Sequence, residues 1–522
     1  MKKLLVIILL VLLTLPAITA LIRPGFFPSH DGEWMVIRLS AFHQSLRDGQ
    51  FPVRWSSRLN HGFGYPVLNF LYPLPFYIGE LFYLISGSFT QSIKLVFIGS
   101  FLASALTMFY WLKAKFSLWP ALAGSLLYIY TPYRFIDTYV RGSVGESLGF
   151  VFVPLLFWAI DLIPKKPKTG VLLGAFATTT TVLSHNVFII FVFLAAVYGL
   201  VTLPRRHLKH LALTLSLGAT LSAYFWVPAL AELKYVYASR LPVANPVNHL
   251  ANLTQLIAPA WNYGSAATGA NSMSVQIGLV NLGVILLSLI FFRRNVFFIA
   301  TTISIVLMHR LAAPIWSFLP GIWVIQFPWR LLSLTTFTTA VLAAYLFKRP
   351  IYVIVVGLLA ILLTINYARP QTRTFLPDDY YATNEDTTTV RSEYLPLWVV
   401  EPLTARIPER AAFVSGTGPI TDYKETNREI YFRVDAVQKE STAIIKVNQI
   451  YYPGWRVTVN SKPVSVDTNS NGLITFIVPK GKSGVLIRWQ ETPLRHIVNY
   501  ISLLTFLTIL SHGFCISCIK RK

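Results

Sequence analysis

"KKLLVIILLVLLTLPAITALIRPGFFPSHDGEW", Lys2 to Trp34, joins an apolar run to a polar stretch that carries one histidine and two carboxylates. How its first half is read decides the fold. Leu4 to Leu21 behind Lys2 and Lys3 has the form of a signal peptide, and "PAITA" offers small residues for cleavage. Spanning a bilayer takes about 20 apolar residues in a helix. Comparable runs recur as far as residue 366, with a last one near the C-terminus. A chain with so many spans needs no removable signal, so the run is read as an uncleaved first span.

Composition agrees. Of 522 residues, 54% are apolar and 13% charged, and the mean hydropathy is +0.55. A soluble chain of this size would have to bury nearly all of itself, whereas a polytopic membrane protein faces lipid. The net charge of +23 does not point to nucleic acid, because its densest clusters are short and fall between apolar runs. They are "KAK" at Lys113, "KKPK" at Lys165, "RRHLKH" at Arg205, "RRN" at Arg293, "KRP" at Lys348 and the terminal "KRK". That is the positive-inside pattern of cytoplasmic loops. Cys515 and Cys518 are too few for a four-ligand zinc site and are read as inert.

With those clusters inside, the first span exits outward and residues 22–90 form an external loop with a half-buried helical piece. Further spans fall at approximately 92–112, 116–133, 147–163, 170–184, 186–203, 211–229, 276–292, 296–308, 331–347, 351–366 and 496–514, about twelve in all. The stretch 66–87, "PVLNFLYPLPFYIGELFYLISG", is long enough to make a thirteenth. Its prolines and Glu80 suit a re-entrant or interfacial helix better.

Residues 367–495 read differently. Alternation in "IYFRVDAV", "TAIIKVNQIYYPGWRVTVNSKPVSV", "LITFIVP" and "GVLIRW", with turns at "NSK", "NSNG" and "KGKSG", predicts a small antiparallel β-domain. The predicted fold class is a mainly α polytopic membrane protein of 12–13 spans with an extracytoplasmic β-domain. Residues 1–366 form the membrane module, and 496–522 form a final span and a short basic tail. Both termini are expected in the cytoplasm.

Carboxylates are sparse where lipid is near. Of 22 acids, only Asp31, Glu33, Asp48, Glu80, Asp137, Glu146, Asp161 and Glu232 serve the first 366 residues. Acids at membrane depth are costly and mark function. Asp161 precedes "KKPK" and reads as an inside rim charge, while the others map to the outer face. Met35, Leu39, Phe42 and Leu46 recur at helical spacing, predicting a helix in the interface plane with Asp31 at its N-terminus. Asp31 is then an N-cap, a catalytic carboxylate, or both.

In "DTYVRGSVGES", Arg141 and Glu146 make either a loop salt bridge or a phosphate ligand and a second acid facing Asp31. The glycines Gly142 and Gly145 would let the backbone come close. "LSHN" puts His185 at the outer end of a span, as a packing residue or a ligand. "QFPWR" puts Gln326 and Arg330 beside an external loop, as an interfacial anchor or an anion contact. No Walker loop, HExxH helix or nucleophile elbow occurs. Outside the cell nucleotides are scarce, so an enzyme there needs an already activated donor, and a lipid-linked phosphosugar meets that need.

"HDG", the interfacial helix, "DGQFPVRW" and "GYPVLNFLYPLPFY" resemble the first external loop of the C-type (GT-C) membrane glycosyltransferases. "TPYRFIDTYVRGSVGES", "LSHN", "QFPWR" and "YYPGWRVTVNSKPV" resemble, more narrowly, the branch labelled "6-pyruvoyl-tetrahydropterin synthase-related", near the YfhO-like proteins. The resemblance implies a GT-C-like fold and transfer of a sugar from a polyprenyl-phosphate carrier to an extracytoplasmic glycan, lipid or protein, with inversion. By motif position it implies Asp31 as the catalytic carboxylate and Glu146 as the further acid. Around these acids, His30, Glu33, Arg141, His185, Gln326 and Arg330 are the substrate-binding candidates. The paired acidic motif of many members is broken here as Asp31-Gly32-Glu33. A divalent cation, Mg2+ or Mn2+, is left open.

Two rivals stand beside this reading. A transporter or lipid flippase fits the span count, but the candidate charges lie at the outer surface rather than at mid-membrane. An anchoring protein could stack glycan on Tyr451, Tyr452 and Trp455, although strand aromatics are expected in the core.

Overall fold

The computed structural model describes residues 2–241, 244–265, 271–318, 325–437 and 442–519. The side chains of Cys515 and Cys518, and the terminal "KRK", lie outside the described residues. The chain is a bundle of apolar helices capped at one end by an antiparallel β-domain.

Among the described residues five helices are long and apolar enough to cross a membrane: Leu4–Ile22, Phe89–Lys115, Val144–Leu162, Pro350–Tyr367 and Pro493–Ser511. A sixth results if Arg205–Leu221 and Ala223–Tyr235, bent by 68°, count as one. Shorter apolar helices stand at several of the other expected spans, among them Leu118–Ile129, Asn186–Thr202, Leu279–Phe291 and Val296–Met308. The run 116–133 yields only Leu118–Ile129, since Thr131 before Pro132 takes an extended conformation and a new turn starts at the proline. The runs at 276–292 and 296–308 yield the short helices Leu279–Phe291 and Val296–Met308. The stretch 66–87 does not cross as one helix. It breaks at Leu71, leaving Val67–Phe70 and Leu74–Ser86.

Glu33 to Asp48 was expected to lie in the interface plane. Its helix, Gly32–Arg47, is covered by protein on both its apolar and its polar sides. The cover comes from the segment after residue 373. Ser40 Oγ donates to Tyr381 O at 2.9 Å, Arg38 donates to Thr388 through Nε at 3.1 Å and through Nη2, and Gln44 donates to Ala382 O at 3.1 Å. Asp378 accepts from the backbone N–H groups of Phe89 and Thr90, capping the helix Phe89–Lys115 from a distance in sequence.

The strands lie between residues 411 and 489. One sheet runs in the order Ala411–Ser415, Thr442–Ile450, Leu473–Pro479, Asp467–Thr468. The other runs Ile420–Glu425, Glu429–Ala436, Gly481–Trp489, Trp455–Val459, Lys462–Val464. Alternation in "IYFRVDAV" buries Ile430, Phe432, Val434 and Ala436 against Val485 and Ile487. "NSK" makes a tight hairpin with Asn460 and Ser461 at positive φ. "KGKSG", expected as a turn, is mostly strand: Lys482 and Ser483 pair with Asp435 and Val434.

A buried polar knot fastens the β-domain to the helices. Glu232 accepts from Arg495 at 2.6 and 2.7 Å, from Asn69 at 2.9 Å and from Tyr452 at 3.0 Å. Arg54 bonds Glu491, Asn69, Asn499 and the Tyr224 carbonyl. Trp55 packs on Tyr452, Trp455 and Trp489, with ring centroids 5.3–6.1 Å apart. Tyr452 and Trp455 are thus core residues, and Tyr451 is half-buried.

Candidate active site

Two separated loops meet at the end of the bundle that carries the β-domain. His30 and Asp31 donate their backbone N–H groups to the carbonyls of Val140 and Arg141, at 3.0 and 2.8 Å. Gly32 faces Gly142, which sits at φ +66, and a Cβ on Gly142 would meet Gly32 N and Cα at 2.6 Å. Only glycine permits so close a clasp. Gly145 makes room for another approach: a Cβ there would stand 2.3 Å from Cε2 of Tyr72. The two glycines therefore admit protein rather than lying open to a ligand.

Asp31 occupies the N-cap position of Gly32–Arg47, yet its side chain makes no capping bond. Ser29 Oγ accepts from Gly32 N instead, at 3.1 Å. The Asp31 carboxylate is half-buried, accepts no hydrogen bond among the described residues, and lies within electrostatic reach of Arg141, Arg330 and His30. His30 Nε2 donates to the Tyr263 carbonyl at 3.0 Å. Burial pushes its imidazole below the usual range, against the pull of that carbonyl. Glu33 is half-buried beside Tyr381, on the other side of the helix start, and burial raises its carboxyl above the ordinary range.

The segment expected as an external loop, 137–147, is buried throughout. Ile136–Val140 is a π-helical turn that swings Asp137 and Arg141 to one side. Arg141 Nη1 donates to Asp137 Oδ1 and Glu146 Oε1, both at 2.8 Å, and its guanidinium lies 4.6 Å from the Trp329 ring centroid. Glu146, expected to face Asp31 as a second open acid, is closed in. Oε2 accepts from Tyr133 at 2.7 Å, while Arg330 Nε and His185 Nε2 approach Oε1 at 3.4 and 3.7 Å. It is fully buried, so it serves as the hub that gathers the cations.

Arg330 Nη1 donates to Gln326 Oε1 at 2.9 Å, and Gln326 takes a positive φ to offer it. Arg330 Nε is buried without a hydrogen bond. Among the described residues all side-chain hydrogen bonds of Arg141 run through Nη1. Both guanidinium groups therefore keep donors uncommitted, and buried donors are seldom left so. His185 Nδ1 accepts from Val187 N at 3.2 Å, and its ring lies 4.5 Å from that of Tyr72.

The geometry thus brings together His30, Asp31, Arg141, Glu146, His185, Gln326 and Arg330, with Glu33 at the margin. Sequence reasoning passed over Tyr72, Tyr133 and Trp329, although all three stand in motifs it quoted. Asp161 stands apart, bonded to Lys115, Trp111 and Tyr198 at the opposite end of Val144–Leu162. Roughly four turns of helix, about 20 Å, separate it from Glu146.

Among the described residues no three His, Cys, Asp or Glu side chains gather to hold a metal. The Glu146 oxygens face two guanidinium groups and a phenol. That donor set does not fit a divalent cation at Glu146.

No family model matches the chain. An uncharacterized protein of Lactococcus lactis subsp. cremoris (strain MG1363) is 27% identical over 247 residues, covering 44% of this chain and 39% of that one. Among solved structures, the cryo-EM structure of arabinofuranosyltransferase AftD from Mycobacteria is similar, with a TM-score of 0.47 and 14% identity, over 72% of this chain and 27% of that one. The chain spans about two fifths of the length of the first of these proteins and about a quarter of the second.

Proposed function

We propose that this chain is a membrane glycosyltransferase that moves a sugar from a polyprenyl-phosphate carrier to a hydroxyl of an extracytoplasmic glycan, lipid or protein. One observation carries the reading: a carboxylate without a hydrogen-bond partner, Asp31, is clasped by its backbone to the segment that presents Arg141. The motif resemblance of the first loop supports it independently.

In the proposed step Asp31 takes the proton of the acceptor hydroxyl. The acceptor oxygen bonds to the anomeric carbon as the bond from that carbon to the carrier phosphate breaks. The electron pair leaves with the phosphate, and attack from the opposite face inverts the centre. The uncommitted donors of Arg141 and Arg330 meet the growing negative charge, which is where fixed cations help most. Glu146, with Tyr133, holds both guanidinium groups in place and acts through them. Gln326 orients Arg330, and neutral His30 fixes the loop that carries Asp31.

Reconstitution in proteoliposomes tests the reading. With a labelled undecaprenyl-phosphate sugar in the bilayer, the expected result is label on a new acceptor and release of undecaprenyl phosphate. Movement of a labelled solute across the bilayer without any product would support the transporter reading instead.

A further inference from the structure

At the end of the bundle that carries Asp161, two helices start side by side. Pro167–Ser184 packs against Leu208–Leu221 along a seam of small residues. A Cβ on Gly174 would run into Cγ2 of Thr214, and one on Gly218 into Cβ of Thr178. Thr179 Oγ1 donates across the seam to Gly218 O at 3.2 Å. Gly174 meets Thr214 and Thr178 meets Gly218, so the two helices run parallel and in step. The same register, carried back about two turns, sets His207 level with Pro167. His207, Leu211, Thr214 and Gly218 recur at helical spacing and are all buried, so His207 faces the start of the neighbouring helix. It is 9% exposed, and neither of its ring nitrogens has a hydrogen-bond partner among the described residues.

The side chains around these starts are cations. Lys165, Lys166, Lys168, Arg205, Arg206 and Lys209 flank them, and among the described residues none of these side chains makes a hydrogen bond or an ion pair. Asp161 is already held by Lys115 and Tyr198, and no further acid occurs in the sequence before Glu232. Neither start has a side-chain cap, which leaves first-turn N–H groups open on both. Two positive helix ends, six cations and a buried imidazole without an acceptor call for one thing, an anion with several oxygens. Phe176, Leu200, Val201 and Leu213, on these helices and the one between them, are exposed and apolar. They face lipid, so the paired starts lie at the membrane rim, at the height of the headgroups.

We propose that the paired helix starts form a binding site for the phosphate group of an anionic phospholipid. His207 and the open N–H groups donate to its oxygens, and Lys166 and Arg206, level with each other by the same register, close it from outside. A zwitterionic headgroup binds less well, because it brings its own ammonium against the cations. The site does not depend on the glycosyl-transfer reading.

Native mass spectrometry of the full chain, released from micelles holding equal phosphatidylglycerol and phosphatidylcholine, tests the proposal by counting the lipid retained. One variant combines Lys166→Gln with Arg206→Gln, both exposed positions, and a second is His207→Phe. The control combines Arg293→Gln with Arg294→Gln, which removes the same charge beside a helix start that Asn295 already caps. Wild type should retain phosphatidylglycerol in preference. Its binding should be about tenfold or more weaker in the double variant, weaker in His207→Phe, and unchanged in the control. Equal loss in the control, wild-type binding by His207→Phe, or equal retention of the two lipids by wild type would each overturn the site. Displacement of the lipid by inorganic phosphate would assign the seat to a soluble phosphate and overturn the lipid.

Discussion

Asp31 and Glu146 are carboxylates at the same end of the bundle, and their surroundings give them opposite work. Glu146 has both oxygens engaged and no exposure, whereas Asp31 is half-buried and free to accept a proton. The clasp that positions Asp31 depends on Gly142. Gly142→Ala puts a methyl group 2.6 Å from the Gly32 backbone at a strained φ, at a cost of about 2 kcal/mol or more. It should lower the thermal midpoint and reduce transfer together, measured by fluorescence-detected unfolding and product formation. His30 sets a pH dependence. Unfolded, its ring protonates near the usual value of about 6.5; folded, burial holds it neutral to lower pH. The unfolded chain therefore binds more protons, and stability falls as pH drops through about 6.5 and is unaffected above it. Thermal midpoints between about pH 5 and 8 should fall more steeply for wild type than for His30→Asn, and equal slopes would remove His30 from the balance.

At the scale of the elements, the polar knot at Glu232 holds more than one segment. It ties Ala223–Glu232, Val67–Phe70, the final helix and the strand-linking Tyr452 into one buried network. Glu232→Gln leaves Arg495 buried without its counter-charge, and removing one partner of a buried pair costs about 3–5 kcal/mol. The expected readout is a lower thermal midpoint with early proteolytic release of the β-domain. An unchanged midpoint would show that the aromatic cluster at Trp55 alone fastens the domain. Glu232 was legible as one of eight scarce acids, but its network was not, because Asn69, Tyr452 and Arg495 lie far from it along the chain. The strands were legible, since "IYFRVDAV" alternates with a period of two and buries every second side chain. The ends of the apolar helices were less legible, because hydropathy registers apolar runs but not the residue before a proline, such as Thr131, that ends a helix locally. Asp31 was legible because carboxylates are scarce in the first 366 residues, and Arg141, His185 and Arg330 because they stand in short motifs read onto the same outer face. Tyr72 was not, because a tyrosine among many gives no signal until Gly145 and His185 are folded against it.

The whole molecule has two ends of different character. Asp31, Arg141, Arg330 and the β-domain share one, and Lys115, Asp161 and the basic turn after it share the other. The charge distribution predicts that the first end faces outward. In a background with Cys515 and Cys518 replaced by serine, Thr421→Cys should react with a membrane-impermeant maleimide on intact cells and Lys166→Cys should not. The reverse pattern would put the site in the cytoplasm. In the proposed reaction Asp31 removes the acceptor proton while the arginines hold the phosphate. It is tested most directly by Asp31→Asn in proteoliposomes, following undecaprenyl-phosphate binding and sugar transfer on the same preparation. The expected result is binding at the wild-type affinity with transfer reduced by roughly 10²–10⁴-fold. Transfer at the wild-type rate would contradict it.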